Sequence, residues 1–136
     1  MSAGEYAFSV SVPLPISEAE EAVRRELAAE GFGVLTEIDV RTTLRQKLDL
    51  EFRPYRILGA CNPALAHRAL VADPVVGVLL PCNVVLEEER AGSTRVLFME
   101  PRALMSSSGP EVESVASEAS ERLHRVAGRL PALGGA

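Results

Sequence analysis

The sequence predicts an α+β fold in which helices pack on one face of an antiparallel sheet of about five strands. Residues 6–12 alternate apolar and small side chains, which is the period of a half-buried strand. The turn Ala91-Gly92-Ser93 separates two further strand-like stretches and is typical of a hairpin. Residues 112–130 carry apolar side chains at helical spacing, so this long helix must lie on the sheet.

A helix is predicted directly after the first strand. Ser17 and Glu20 form a capping-box pattern, in which each side chain bonds the backbone of the other residue. Ala19, Val23 and Leu27 fall on one side of this helix and are expected to pack on the sheet.

The middle of the chain alternates strands with helical stretches. A second strand is predicted over 32–40, a short helical stretch over 42–48 and a third strand over 55–61. Asn62-Pro63 then predicts the start of an alanine-rich helix, because Asn accepts an orphan amide proton and Pro has none to donate.

The second half is predicted to contain the hairpin and the long helix. A fourth strand is expected from about 78 to 88 and a fifth from 94 to 100. A flexible join over 105–110 leads into the long helix.

The length and net charge of the chain limit the functions that it can have. At 136 residues the chain is the size of one domain, so residues 1–136 are expected to form a single domain with its core within about 6–130. A net charge of −5 argues against nucleic acid and anionic membranes as partners, since both reward clustered cations. No stretch is long and apolar enough to span lipid, and a cytoplasmic location is expected.

The only two cysteines are each followed by an asparagine, in Cys61-Asn62 and Cys82-Asn83. Without an export signal they are expected to be reduced thiols. Their separation excludes the short CxxC geometry, so joint action requires two strands to bring them together.

Three runs carry a family resemblance: GFGVLTEID at 31–39, YRILGACNPALAHRAL at 55–70 and LLPCNVVL at 79–86. The chain resembles, from about residue 6 to 130, the family of small prokaryotic proteins known as domain of unknown function 302. The resemblance implies a fold like the TATA-binding-protein half-repeat, with a β-α-β4-α arrangement, and a tendency to form homodimers. It implies no particular activity, because one fold hosts many functions.

The candidate ligand-binding residues are the two Cys-Asn segments and a nearby histidine. They are Cys61, Asn62, His67, Cys82 and Asn83. The expectation is one hollow lined by both sulfur atoms and their amide neighbours. The alternative for each is structural: cysteines are small core residues, Asn62 caps a helix, and Asn83 needs a hydrogen-bond partner if it is buried.

Two functional hypotheses follow. The first is a non-enzymatic homodimeric module that binds a small ligand or partner in this hollow. The second is a thiol-dependent protein that handles redox chemistry, sulfur or a soft metal through Cys61, Cys82 or both. Nucleotide, hydrolase and zinc-protease motifs are absent from the sequence. No metal site is predicted, and both a cofactor and catalysis stay open.

Other charged positions are interpreted as structural. Glu37 and Asp39 are expected on the wet face of their strand. The acidic run 87–89 is interpreted as a solvated sheet edge that discourages aggregation, and His124 as an exposed residue without a role.

Overall fold

The structure, a computed structural model, describes residues 5–105 and 109–131. Its strands are β1 (Ala7–Val12), β2 (Gly33–Asp39), β3 (Tyr55–Cys61), β4 (Cys82–Arg90) and β5 (Ser93–Met99). Its helices are α1 (Ile16–Ala29), α2 (Val40–Leu48), α3 (Pro63–Ala72), α4 (Pro101–Leu104) and α5 (Pro110–Arg129), with a 3-10 helix at Pro74–Leu79.

The five strands form one antiparallel sheet in the order β1-β5-β4-β3-β2. This confirms the predicted α+β fold with a five-stranded antiparallel sheet. The likeness to a TATA-binding-protein half-repeat and the single-domain organisation stay predictions.

One face of the sheet is covered by helices. Cross-strand neighbours share a face, and the register places Leu58, Val84, Phe98 and Phe8 in one row on this side. All four are buried, in the same cluster as the inner residues of α1 and α5. As predicted, that cluster contains Ala19, Val23 and Leu27 of α1 and the stripe Val112, Val115, Ala116, Ala119, Leu123, Val126 and Leu130 of the last helix.

The predicted capping box at the start of α1 was wrong. The helix begins two residues earlier than that cap implies, at Ile16, and its N-cap Pro15 makes no side-chain hydrogen bond. Glu20 instead accepts hydrogen bonds from Arg24 Nε at 2.9 Å and Arg56 Nη1 at 2.8 Å. Each oxygen of this carboxylate binds one guanidinium group, so Glu20 links α1 to Arg56 of β3 rather than closing the first turn of the helix.

The fourth strand begins at Cys82 and not at Val78 as predicted. Asp73 caps a 3-10 helix in this segment, accepting a hydrogen bond from Val75 N at 3.1 Å. Pro81 lacks an amide hydrogen and directly precedes the strand, where proline is tolerated.

The acidic run 87–89 was wrongly predicted as a sheet edge. It lies on β4, which pairs with β3 and β5, so the edges are β1 and β2. Glu87 is half-buried and lies between two arginines, 3.0 Å from Arg53 Nε and 3.5 Å from Arg95 Nε. The two arginines therefore compensate the charge of Glu87 on this central strand.

The predicted flexible join over 105–110 cannot be compared with the structure as a whole, because half of it falls outside the described residues. Residues 101–104 form the short helix α4, and α5 begins at Pro110. Residues 106–108 lie outside the described part of the chain. Within the described ranges, no helix has the length and apolar character needed to cross a membrane.

Gly59 allows a close approach on the uncovered side of the sheet. A methyl group built there would lie 2.7 Å from Pro81 Cγ and would also overlap Thr36 Oγ1. We expect Gly59→Ala to lower the free energy of unfolding by roughly 1–3 kcal/mol, because the proline ring is rigid and must move. Urea denaturation of the purified variant measures this.

Gly33→Ala is the matched control. Gly33 is also a strand glycine, but no described atom lies within 4 Å of a methyl group added there. Its substitution should leave stability unchanged or raise it slightly. Equal midpoints for the two variants would contradict the proposed crowding at Gly59.

Candidate functional site

The uncovered face of the sheet carries an apolar row across its centre. The register aligns Ile38 with Ile57, Ile57 with Val85, and Val85 with Leu97. We call these four residues the apolar row. An uncovered antiparallel sheet face is normally polar, so a row of branched aliphatic side chains here needs an explanation.

A groove of about 530 Å³ lies over this face, and we call it the sheet-face groove. Its floor includes Val85 and Leu97 of the apolar row. The segment 78–81 before β4, Tyr6 and Leu104 also line it. Sites for small molecules typically have this size and an apolar lining with few polar groups.

A polar row runs beside the apolar one. Tyr55 pairs with Glu87, Glu87 with Arg95, and Arg95 with Ser11. Tyr55 and Arg95 line the groove, and Arg95 is the only charged residue among its described lining. Arg95 Nε is buried and has no hydrogen-bond partner in the described part of the chain, although Glu87 Oε1 lies 3.5 Å away.

Asn83 is the one sequence-predicted site residue that lines the sheet-face groove. It pairs with Gly59 across β3 and β4, and it is exposed. Its amide can therefore meet a ligand without the cost that a buried unpaired amide would carry.

Cys61, Asn62 and Cys82 line a different, much smaller cavity on the covered side of the sheet. Its volume is about 30 Å³, and it is otherwise lined mostly by apolar residues of the core. A cavity of that size holds about one water molecule rather than a metabolite.

Asn62 has a structural role. Its Oδ1 caps α3 by accepting a hydrogen bond from Leu65 N at 3.2 Å, as the Asn-Pro signal predicted. Its Nδ2 donates to the carbonyl of Glu30 at 3.3 Å. Both ends of the amide are therefore used within the protein.

Cys82 is a poor nucleophile in this environment. Burial, together with the nearby Cys61 thiol, raises the pKa of Cys82 to about 11. At neutral pH the group is therefore a thiol rather than the reactive thiolate. Cys61, at the end of β3, is half-buried.

His67 does not join the cysteines. It is exposed on α3 and lines a separate surface depression with Arg68, Val71 and Glu111. The structure thus brings together three of the five predicted site residues, and it places Asn83 and His67 elsewhere. The ligand-binding role of the five residues stays a prediction.

The prediction that His124 is exposed was wrong. The residue is half-buried, its ring stacks on Phe8 with centroids 3.7 Å apart, and Nε2 lies 2.9 Å from Glu100 Oε1. Ser120 Oγ donates to Glu100 Oε2 at 2.6 Å. Burial alone would raise the pKa of Glu100, but the hydrogen bonds from His124 and Ser120 outweigh it and lower that pKa. Only the position of His124 beside the buried stripe of α5 hinted at this contact.

In the described part of the chain, no group of three or more histidine, cysteine, aspartate or glutamate side chains lies close enough together to hold a metal ion.

The two acidic residues predicted on β2 bind different structural partners. Glu37 accepts a hydrogen bond from Arg24 at 2.7 Å, and Asp39 caps α2 by accepting one from Thr42 N at 3.0 Å.

The fold and the groove define an α+β protein whose five-stranded sheet is covered on one face. The chain belongs to the family described as domain of unknown function DUF302, whose model matches residues 8–130. This confirms the resemblance inferred from the sequence.

A solved structure supports the same assignment. The chain is similar to the crystal structure of an uncharacterized conserved DUF302 protein from Bacillus stearothermophilus, with a TM-score of 0.85 and 32% sequence identity. The match covers 93% of this chain and 99% of that one. A comparison with curated protein sequences gives no match.

We expect the two thiols to differ in reactivity with a chromogenic disulfide reagent. In Cys61→Ala, where Cys82 is the only thiol, the native protein should stay unmodified at pH 8, because Cys82 is buried and its pKa is raised to about 11. The same sample in denaturant should release one equivalent of chromophore per chain.

Cys82→Ala is the control, since its half-buried Cys61 should react without denaturant. Fast modification of native Cys61→Ala at neutral pH would contradict the assignment of Cys82 as a buried, protonated thiol.

Proposed function

We propose that the protein is a non-enzymatic module that binds a small molecule in the sheet-face groove. The observation that carries the proposal is that Val85 and Leu97 of the apolar row form part of the floor of a groove of about 530 Å³, on the sheet face opposite α1 and α5. Leaving aliphatic side chains at such a face costs free energy unless something covers them. A small apolar ligand would remove that cost.

The groove lining favours binding over catalysis. Its described polar side chains are Tyr6, Tyr55, Asn83 and Arg95, so a carboxylate, histidine or thiol that could act as a base or nucleophile does not belong to the described lining. The ligand site is therefore proposed at Asn83 and not at the cavity beside Cys61 and Cys82.

N-phenyl-1-naphthylamine, a neutral apolar fluorophore, tests the groove. We expect its emission to rise on binding to the native protein and the rise to be lost in Leu97→Trp, because the larger ring fills the groove floor. Fluorescence titration at constant protein concentration measures this.

Ile38→Trp is the matched control. Ile38 lies in the same apolar row, on edge strand β2, but does not line the groove. This variant should bind the probe like the native chain. An absence of binding to the native protein, or equal binding by Leu97→Trp, would overturn the proposal.

The thiol-dependent alternative, in redox, sulfur or soft-metal chemistry, is favoured by one observation. Cys61 and Cys82 line the same cavity. The volume of about 30 Å³ and the raised pKa of Cys82 weigh against it, because the chemistry needs both access and a thiolate. The thiol titration described above decides this alternative.

We also propose that the protein forms a homodimer through edge strand β2. Six of its seven residues are exposed, and Leu35 retains 68% of its accessible surface. An exposed edge strand with apolar side chains offers unpaired backbone groups to another chain.

We expect light scattering after size exclusion to give twice the chain mass at micromolar concentration. Leu35→Glu should shift the protein towards monomer, because a charge would be buried at the new contact. Val71→Glu is the control, since Val71 is 71% exposed on α3, away from β2. A monomeric native protein would contradict the dimer.

A further inference from the structure

We propose that the sheet-face groove selects small molecules that combine an apolar body with one anionic group, such as a carboxylate, and that Arg95 holds this group. The inference rests on the proposed function and names the ligand class for the same groove. Its basis is the charge of the lining. Arg95 is the only charged residue among the described residues that line the groove.

The neighbours of Arg95 leave its charge incompletely compensated. Glu87 is its ion-pair partner, but the closest approach is 3.5 Å from Nε to Oε1. The other oxygen of Glu87 accepts a hydrogen bond from Arg53 Nε at 3.0 Å. Two guanidinium groups thus share one carboxylate, so Arg53, Arg95 and Glu87 together carry one net positive charge.

The geometry of Arg95 also favours an anion. Its Nε is enclosed, whereas the side chain as a whole keeps 39% of its surface. Neither Nη group donates a hydrogen bond to a residue in the described part of the chain. A planar guanidinium with free outer donors matches a carboxylate in a two-point contact.

The apolar and charged parts lie side by side. Arg95 and Leu97 are on the same strand and the same face, and Val85 is the cross-strand partner of Leu97. A ligand whose chain covers Leu97 and Val85 therefore brings its end group towards Arg95. Neutral polar ligands would gain less here, because they lack the charge attraction and the two-point contact that a carboxylate makes with a guanidinium group.

Decanoate and 1-decanol test this preference, because they share one chain and differ in the head group. Each is titrated against N-phenyl-1-naphthylamine bound to the native protein at pH 7.5. We expect decanoate to displace the probe with an affinity about tenfold higher than that of 1-decanol, the ratio that one charge-assisted hydrogen bond supplies.

In Arg95→Met the ratio of the two affinities should fall to about one, because the guanidinium is removed while the apolar contacts remain. Arg95→Lys should keep part of the preference through its charge. Arg45→Met is the control for net charge, since Arg45 pairs with Glu51 and does not line the groove. Retained probe binding shows that each variant is folded.

Equal displacement by the two compounds in the native protein, or an unchanged preference in Arg95→Met, would overturn the inference. Binding of the probe to the native protein would still support the proposed function. A native protein that does not bind the probe at all would overturn both.

Discussion

Side-chain alternation along five paired strands is the constraint from which both faces of this sheet follow. Because cross-strand neighbours share a face, the register that buries Leu58, Val84 and Phe98 under α1 and α5 also aligns Ile57, Val85 and Leu97 on the opposite side. Core and groove are therefore not independent. A slip of one residue in β4 would bring the groove floor under the helices and expose the core.

The two Cys-Asn segments lie in different structural environments for the same reason. In β4, Cys82 points into the core, so Asn83 beside it must lie on the uncovered face. Asn62 falls after the end of β3, where backbone hydrogen bonds of the sheet stop and a helix begins. The asparagine of the first Cys-Asn segment therefore caps a helix, whereas the asparagine of the second lines the groove. The repeated Cys-Asn dipeptide does not form a single site.

Much of the fold could be predicted because its signals are local. Alternation in β1 and the stripe of α5 are read directly from neighbouring residues, and Asn62-Pro63 marks a helix start by its own chemistry. The start of β4 could not be placed, since Val78, Leu79 and Leu80 are as apolar as the strand that follows. In the structure Val78 and Leu79 belong to a 3-10 helix, and all three residues line the groove.

The site was harder to predict than the fold, because its residues meet only through the sheet order. Arg95 and Tyr55 are far apart in sequence, and both are ordinary strand residues until β4 places Glu87 between them. The contact of His124 with Phe8 and Glu100 likewise needs α5 to cross β1 and the end of β5. The spacing of residues within one segment of the sequence does not predict such contacts.

Asn62 also has a consequence for how the structure opens. The carbonyl of Glu30, after the last turn of α1, accepts hydrogen bonds from Asn62 Nδ2 at 3.3 Å and from Arg122 Nη1 of α5 at 2.9 Å. Gly31 leaves room for this junction, since a methyl group there would lie 2.9 Å from Asn62 Nδ2. One peptide oxygen therefore links the end of α1, the N-cap of α3 and the middle of α5. Fraying at either terminus would release the shared acceptor, so amide protons in these turns should exchange with solvent as one cooperative unit.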